Sequence, residues 1–422
     1  MPASQAITKP DTLSKRYQSV RDFTSRIAAP LTVEDCMIQS MHDASPTRWH
    51  MAHTTWFFET FILSEHPAYV EFDPQFRYLF NSYYNAVGSQ FPRAQRGVIS
   101  RPGYQQTLDY RCYVDEHMQG LFARDELSSK ALQAIEIGLN HEQQHQELML
   151  TDIKHAFSLN PLFPAYDPNS LLTTAAPQDG GWVDFSEAIH EIGKNGEGFG
   201  FDNESPRHRV LTGPYALADR TVNCGAYLKF IQDGGYQKPD HWLSLGWEMV
   251  QRHRWTAPLY WVNRDSQWMI YTMAGLVPVC ESWPVCHVSY FEADAFARWA
   301  GYRLPTEFEW EAACPLHPSQ QFADCHLENQ QAIHPQWTAS DPNPLEGMLG
   351  GVWEWTSSSY SAYPGYNPPS GALGEYNGKF MCNQYVLRGG SVATSQSHIR
   401  KTYRNFFPPE ARWQFSGIRL AK

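Results

Sequence analysis

The segment His141-Glu142-Gln143-Gln144-His145 sets two imidazoles four residues apart. On a helix, side chains at i and i+4 leave the same face, so both rings can reach one metal ion. The stripe that contains them runs Ala134, Gly138, His141, His145, Leu148 and Asp152, the register of a bundle core, with small residues one turn ahead of the histidines leaving room. In a chain with 17 histidines, a metal site and hydrogen-bonded core or surface histidines are both open on spacing alone. A third ligand is on offer between Trp49 and Trp56, where His50 and His53 compete and the position between two tryptophans favours His53. Three imidazoles with open coordination positions suit iron or zinc. The same string matches His-Glu-x-x-His of zinc proteases, with Glu142 as general base. The continuation QELMLTDIKHAFSL lacks the glycine that a metzincin requires, which disfavours that reading.

Helices must position these rings, and residues 13 to about 160 read as helical. Leu13, Tyr17, Val20 and Ile27 recur at helical spacing until Pro30, and Thr32 with Asp35 resembles a capping box. Ser45 as N-cap with Pro46 at the first helical position opens a helix carrying Trp49, His53, Trp56, Thr60 and Leu63 on one face. Tyr110, Val114, Met118 and Leu121 mark a third segment, and Ala131 to about Leu159 a fourth. A four-helix bundle over residues 1–165 follows. Between Pro161 and Gly181 the pattern breaks into Pro, Asn, Ser, Thr and Gly, and residues 166–181 read as a linker. Residues 182–422, rich in Gly, Trp and Tyr, read as a loop-rich α+β domain. Two helices are expected there, at Tyr290 to Ala300 and at Thr306 to Ala313, the latter opened by a Thr306/Glu309 capping box.

Composition sets the outer bounds. The 422 residues hold 33 Lys+Arg against 44 Asp+Glu, a net charge of −11, which disfavours a nucleic-acid partner because such binding relies on cations that neutralise phosphates. Eight cysteines, at 36, 112, 224, 280, 286, 314, 325 and 382, include no Cys-x-x-Cys and read as mostly reduced thiols. The N-terminal MPASQAITKPDTLSKRYQ lacks signal-peptide architecture, and no apolar run approaches the ~20 residues that span a bilayer. A cytoplasmic protein without membrane association is expected.

The strings SPTRWHMAHTTWFFE at 45–59 and HEQQHQE at 141–147 resemble the DinB-type metal-binding bundle of the ergothioneine-biosynthetic sulfoxide synthases (EgtB-type). HEIGKNGEGFGFDNESPRHRV at 190–210, YRLPTEFEWEAA at 302–313, GVWEWTSS at 351–358, VLRGGSVAT at 386–394 and the C-terminal FSGIRLAK resemble the formylglycine-generating-enzyme-like domain, a variant of the C-type lectin fold. The resemblance spans nearly the whole chain. It implies a non-haem Fe(II) enzyme that uses O2 to join the sulfur of a cysteine-type thiol, cysteine or gamma-glutamylcysteine, to carbon 2 of the imidazole of N-alpha-trimethylhistidine (hercynine), with oxidation to a sulfoxide. Its ligand set falls on His53, His141 and His145, which decides between His50 and His53. A subgroup of these synthases places catalytic tyrosines on a bundle-side loop, here Tyr83 and Tyr84 of LFNSYYNAVG, whereas another draws its tyrosine from the lectin-like domain, where Tyr376 and Tyr385 stand.

Substrate contacts follow from the same resemblance and from charge. A quaternary ammonium cannot donate hydrogen bonds and is met by aromatic faces. Trp413 and Phe415 match the family's substrate-contacting tail, and Gln144 matches a hercynine-contacting residue. Arg93 and Arg96 are the candidates for the donor's carboxylate, whose two oxygens suit paired N–H groups, while Arg388 and Arg419 suit structural roles. Alternatives are a selenoneine synthase or an ovothiol-type histidine sulfoxide synthase, the latter commonly carrying a methyltransferase domain not expected here. A more distant alternative is a non-catalytic, metal-containing, lectin-like binding protein.

Overall fold

The computed structural model describes residues 10–124, 127–174, 180–196, 198–314, 333–336, 344–369 and 371–422. Cys325 and residues 175–179 of the expected linker lie outside them. The chain forms two compact units: the first takes Met1–Pro161 with Gly196–Phe201 and Pro368–Tyr376, and the second takes Leu162–Asn195, Asp202–Asn367 and Asn377–Lys422.

In the first unit, α1 (Pro10–Ala28), α2 (Thr47–Phe61), the short α3 (Phe76–Leu79), α4 (Tyr104–Ala123) and α5 (Ser129–Ser158) follow one another. The long helices close a ring in which α2 packs on α5 and α4, and α1 packs on α5 and α4. Leu13, Tyr17, Val20, Ile27, Tyr110, Val114, Met118 and Leu121 are all buried, as their helical spacing predicts. Two expected starts differ in detail. Thr32 and Asp35 do exchange their backbone and side-chain bonds, at 2.9 and 3.1 Å, yet open only the 3-10 turn Asp35–Met37. Helix α2 begins after Pro46, and Ser45 makes no capping bond. Its backbone N–H goes instead to Asp152 at 2.8 Å and its hydroxyl accepts from Arg96 at 2.9 Å.

A buried charge cluster ties the helices together. Both Glu142 oxygens are taken, one by Arg21 of α1 at 3.0 Å, the other by Arg111 of α4 at 3.1 Å and Thr24 at 2.7 Å. Burial pushes the Glu142 pKa up, and the two guanidiniums and Thr24 outweigh this and hold it below the ordinary carboxylate value. A carboxylate so engaged is no general base, which removes the zinc-protease reading.

The second unit contains, in order, β1 (Trp182–Phe185), β2 (Ala188–Ile192), β3 (His208–Thr212), β4 (Tyr215–Ala218), α6 (Cys224–Gln232), α7 (Ser244–His253), β5 (Trp261–Arg264), β6 (Gln267–Thr272), β7 (Gly275–Pro278), α8 (Tyr290–Trp299), α9 (Glu307–Ala313), β8 (Trp353–Ser359), β9 (Tyr385–Arg388), β10 (Asn405–Phe407) and β11 (Ser416–Gly417). The strands form small sheets ordered β1-β4, β2-β3, β5-β6-β7 and β10-β9-β8-β11, all antiparallel except the β11–β8 pair. Helix α9 has the expected capping box, and α8 has one of its own between Ser289 and Glu292.

Buried charge ties the quoted strings of this half together. Glu354 of β8 accepts from Trp310 Nε1 at 2.6 Å and from two nitrogens of Arg419 at 2.8 Å. Arg388 of β9 pairs with Glu311, and Arg404 binds Glu307 at 2.8 Å. Arg388 and Arg419 have no solvent exposure, so both arginines serve the fold. Removing one partner of such a pair costs roughly 3–5 kcal/mol, because the other charge stays buried alone.

Candidate metal centre

His53 of α2 and His141 and His145 of α5 each offer a ligand atom, and the three atoms lie within 4.8 Å of one another. The Nε2 atoms of His53 and His141 are 3.2 Å apart. All three rings are buried. The tryptophans that flank His53 in sequence flank it in space: Trp49 stacks on its ring at 4.6 Å and 13°, Trp56 at 5.6 Å and 14°. Its Nδ1 lies 2.5 Å from the Phe80 carbonyl oxygen, so Nδ1–H donates and the Nε2 lone pair remains available.

Burial keeps these rings neutral. It lowers the pKa of His53 and of His145 well below the ordinary imidazole value and that of His141 to about 3. Neutral imidazoles with converging nitrogens can hold a divalent metal ion. Gly138, one turn before His141, is needed for a reason other than open space. A Cβ there would lie 2.7 Å from Phe58 and 2.9 Å from Phe57, and the Phe57 ring packs on His141 at 4.8 Å.

Around this centre the structure places the remaining candidates of the first unit. Tyr84 is buried against Trp56 at 5.7 Å and Phe61 at 5.1 Å, with Tyr83 stacked on it at 4.7 Å. Tyr376, whose segment belongs to this unit, donates its hydroxyl to Gln144 and lies 5.8 Å from the His141 ring and 6.2 Å from Tyr83. Tyr385 is in the second unit, stacked on Tyr290 at 3.7 Å. Arg96 is buried, stacks its guanidinium over Trp49 at 3.3 Å and donates to the Ser45 and Ser82 hydroxyls at 2.9 and 3.0 Å. Burial, then the nearby Arg93 charge, pushes its pKa well below the ordinary value. Arg93 itself is exposed and donates to the Asp43 carbonyl.

Residues 181–422 match the family model described as sulfatase-modifying factor enzyme 1-like domain. Over 67% of its length the chain is 34% identical to the "Hercynine oxygenase" of Mycobacterium tuberculosis, of which it covers 70%. The chain belongs to the hercynine oxygenase family. It is 29% identical to the protein of that name from Mycolicibacterium thermoresistibile, over 97% of this chain and 94% of the other. It is 28% identical to the "Ergothioneine biosynthesis protein 1" of Schizosaccharomyces pombe, over 53% of this chain and 28% of that protein. As a hercynine oxygenase family member the chain is an oxidoreductase.

The two candidates from the tail of this family member sit in the second unit. Phe415 has no exposure and packs on His287 at 4.9 Å, while its carbonyl accepts from the Trp353 backbone at 2.8 Å. Trp413 is half-buried with Phe407 edge-on at 5.9 Å. Sequence reasoning passed over three features of the first unit: the Phe80 carbonyl that orients His53, Arg48 lining one small cavity with Arg96, Trp49 and Phe80, and the partnership of His50 with Asp152. A signal for the last was present, since Asp152 lies seven residues after His145 on the same stripe.

Proposed function

We propose that this protein is an iron(II)- and O2-dependent sulfoxide synthase that joins the sulfur of a cysteine-type thiol to carbon 2 of the hercynine imidazole. The observation that carries the reading is the convergence of His53, His141 and His145 in a chain of the hercynine oxygenase family. The donor set fits the metal: three neutral imidazoles leave its charge and several positions free, and the carbonyl-held His53 ring is preset for it. When bound, iron supplies joint coordination of thiolate, imidazole and O2. The overall reaction balances as thiol plus imidazole plus O2 giving sulfoxide plus water, with loss of the S–H and C2–H bonds.

The rest is the work of the side chains. Rings of Trp49, Trp56 and Phe57 exclude water around the histidines, so electrostatic interactions there act in a medium of low dielectric. A phenol hydroxyl of Tyr83 or Tyr84 delivers a proton to the reacting oxygen. A neutral donor with an ordinary pKa of about 10 suits that task. Tyr376 is the second candidate, favoured by its bond to Gln144 and its approach to His141. Gln144 then helps hold hercynine, and its link to Tyr376 couples substrate placement to the phenol. Arg96 is a buried cation whose hydrogen-bond partners are neutral hydroxyls, a costly state that an arriving carboxylate relieves, and this supports it, with Arg93 nearby, as the anchor of the thiol donor. Trp413 and Phe415 are proposed for the trimethylammonium on the family resemblance.

Metal-selective reconstitution tests the reading. Metal-free protein loaded with one equivalent of iron(II) should consume O2 when given hercynine and cysteine, and protein loaded with zinc(II) should not. Equal turnover with zinc, or none with iron, counts against it.

A further inference from the structure

We propose that His50 and Asp152 are positioning residues that fix the ring orientation and proton placement of His145, so that its Nε2 is presented to the metal. The inference rests on the reading of His53, His141 and His145 as the metal ligands.

Each proton placement along the chain Asp152–His50–His145 forces the next. Asp152 Oδ2 lies 3.0 Å from His50 Nε2, and a carboxylate can only accept there, so the His50 proton sits on Nε2. A neutral imidazole carries one N–H, which leaves His50 Nδ1 an acceptor. His50 Nδ1 lies 2.7 Å from His145 Nδ1, so the single proton between them belongs to His145. The Nδ1–H of His145 is thereby committed, and its Nε2 keeps the lone pair. The Phe80 carbonyl does the same for His53 by a single step. Asp152 is itself held, because the Ser45 backbone N–H donates to the same Oδ2 at 2.8 Å. His50, His145 and Asp152 are all nearly or fully buried, at 2%, 8% and 7% exposure, so water does not compete effectively for these bonds. With both ring nitrogens engaged, His50 does not offer a lone pair to the metal.

Outer partners of this kind typically change metal affinity 10–100-fold when removed. The experiment measures cobalt(II) and iron(II) affinity by chelator competition, with the visible spectrum of the cobalt-loaded protein, in wild type, His50→Ala, Asp152→Ala and the double variant. Each single variant should bind metal about 10–100-fold more weakly and shift the cobalt spectrum. The double variant should be no weaker than the worse single one, since both residues act along one chain. His50→Gln should recover part of the loss, because its amide oxygen can accept from His145 Nδ1–H. Wild-type affinity and spectrum in the single variants, or fully additive losses in the double variant, would overturn the proposal while leaving the three-histidine site standing. Absence of metal binding by wild type would instead sink the ligand assignment. If His50→Ala does not fold, His50→Leu and Asp152→Leu, which offer no acceptor, carry the comparison, and unchanged affinity and spectrum in both would overturn it.

Discussion

On the proposed ligand set each imidazole gives one nitrogen, and the loss of one ring would remove much of the metal affinity. His53→Ala, His141→Ala and His145→Ala should each fold and lose iron, measured as metal content after desalting; stoichiometric iron in any of them would displace that residue from the ligand set. The tyrosines separate by product. Coupling competes with simple oxidation of the thiol, and prompt proton delivery favours coupling. Tyr83→Phe, Tyr84→Phe or Tyr376→Phe should leave iron and substrate binding intact, and the variant lacking the true donor should form sulfoxide roughly 10²-fold more slowly with a larger share of oxidised cysteine. Unchanged rates and product ratios in the single variants and in the Tyr83/Tyr84 double variant would assign the proton to another group. Sequence alone brought His141 and His145 together, since the i, i+4 spacing is a local fact. The choice between His50 and His53 needed the family, and the chain from Asp152 through His50 to His145 needed three dimensions, because it joins two helices across about 100 positions of sequence.

Among the elements, α5 is tightly constrained at Gly138. Gly138→Ala gains about 1 kcal/mol of helix propensity but drives a methyl group into Phe57 and Phe58, an overpacking that costs roughly 1–3 kcal/mol. Lower stability in urea unfolding, with weaker metal binding transmitted through Phe57 to His141, is expected; unchanged stability would show that the two rings move aside freely. The small residue was visible in the sequence, yet its purpose was not: the space it leaves is taken by aromatic rings from α2. Ser45-Pro46 shows the same limit, because Asp152 and Arg96 claim the serine that a local rule assigns to capping. At Thr306 and Glu309 the local rule holds, because Arg303 binds the carboxylate without displacing its capping bonds. Burial pushes the Glu309 pKa up, and Arg303 and the Thr306 bonds outweigh this and lower it below 4.5. A lowered folded-state value means stability that is present above about pH 4.5 and lost as pH falls through the folded value. Glu309→Gln should therefore be less stable than wild type at pH 7 and flatten the acid limb of the unfolding midpoint below about pH 4.5; a midpoint that falls as steeply as in wild type would remove Glu309 from the acid response.

At the scale of the whole molecule, helical periodicity marked the first 160 residues and its loss marked the second half. The segments 196–201 and 368–376 carry no such signal; Phe201 stacks on Tyr376 at 5.1 Å, and Tyr376 lies edge-on to His141 of α5 at 5.8 Å. This is why Tyr376 could be named from sequence but not placed beside His141. The second unit spends its buried charges on its own fold, and the histidine cluster that could hold a metal among the described residues lies in the first. Formylglycine-type strings therefore report architecture here, and the proposed chemistry rests on the histidines. The claim that these histidines serve an oxygen-dependent carbon–sulfur coupling is tested most directly by mass spectrometry of the product formed from hercynine and cysteine by the iron(II)-loaded protein under 18O2. The account predicts a hercynine–cysteine adduct carrying one 18O atom, formed only with iron and O2 present. An adduct formed without O2, one without the label, or no adduct with cysteine or gamma-glutamylcysteine would contradict it.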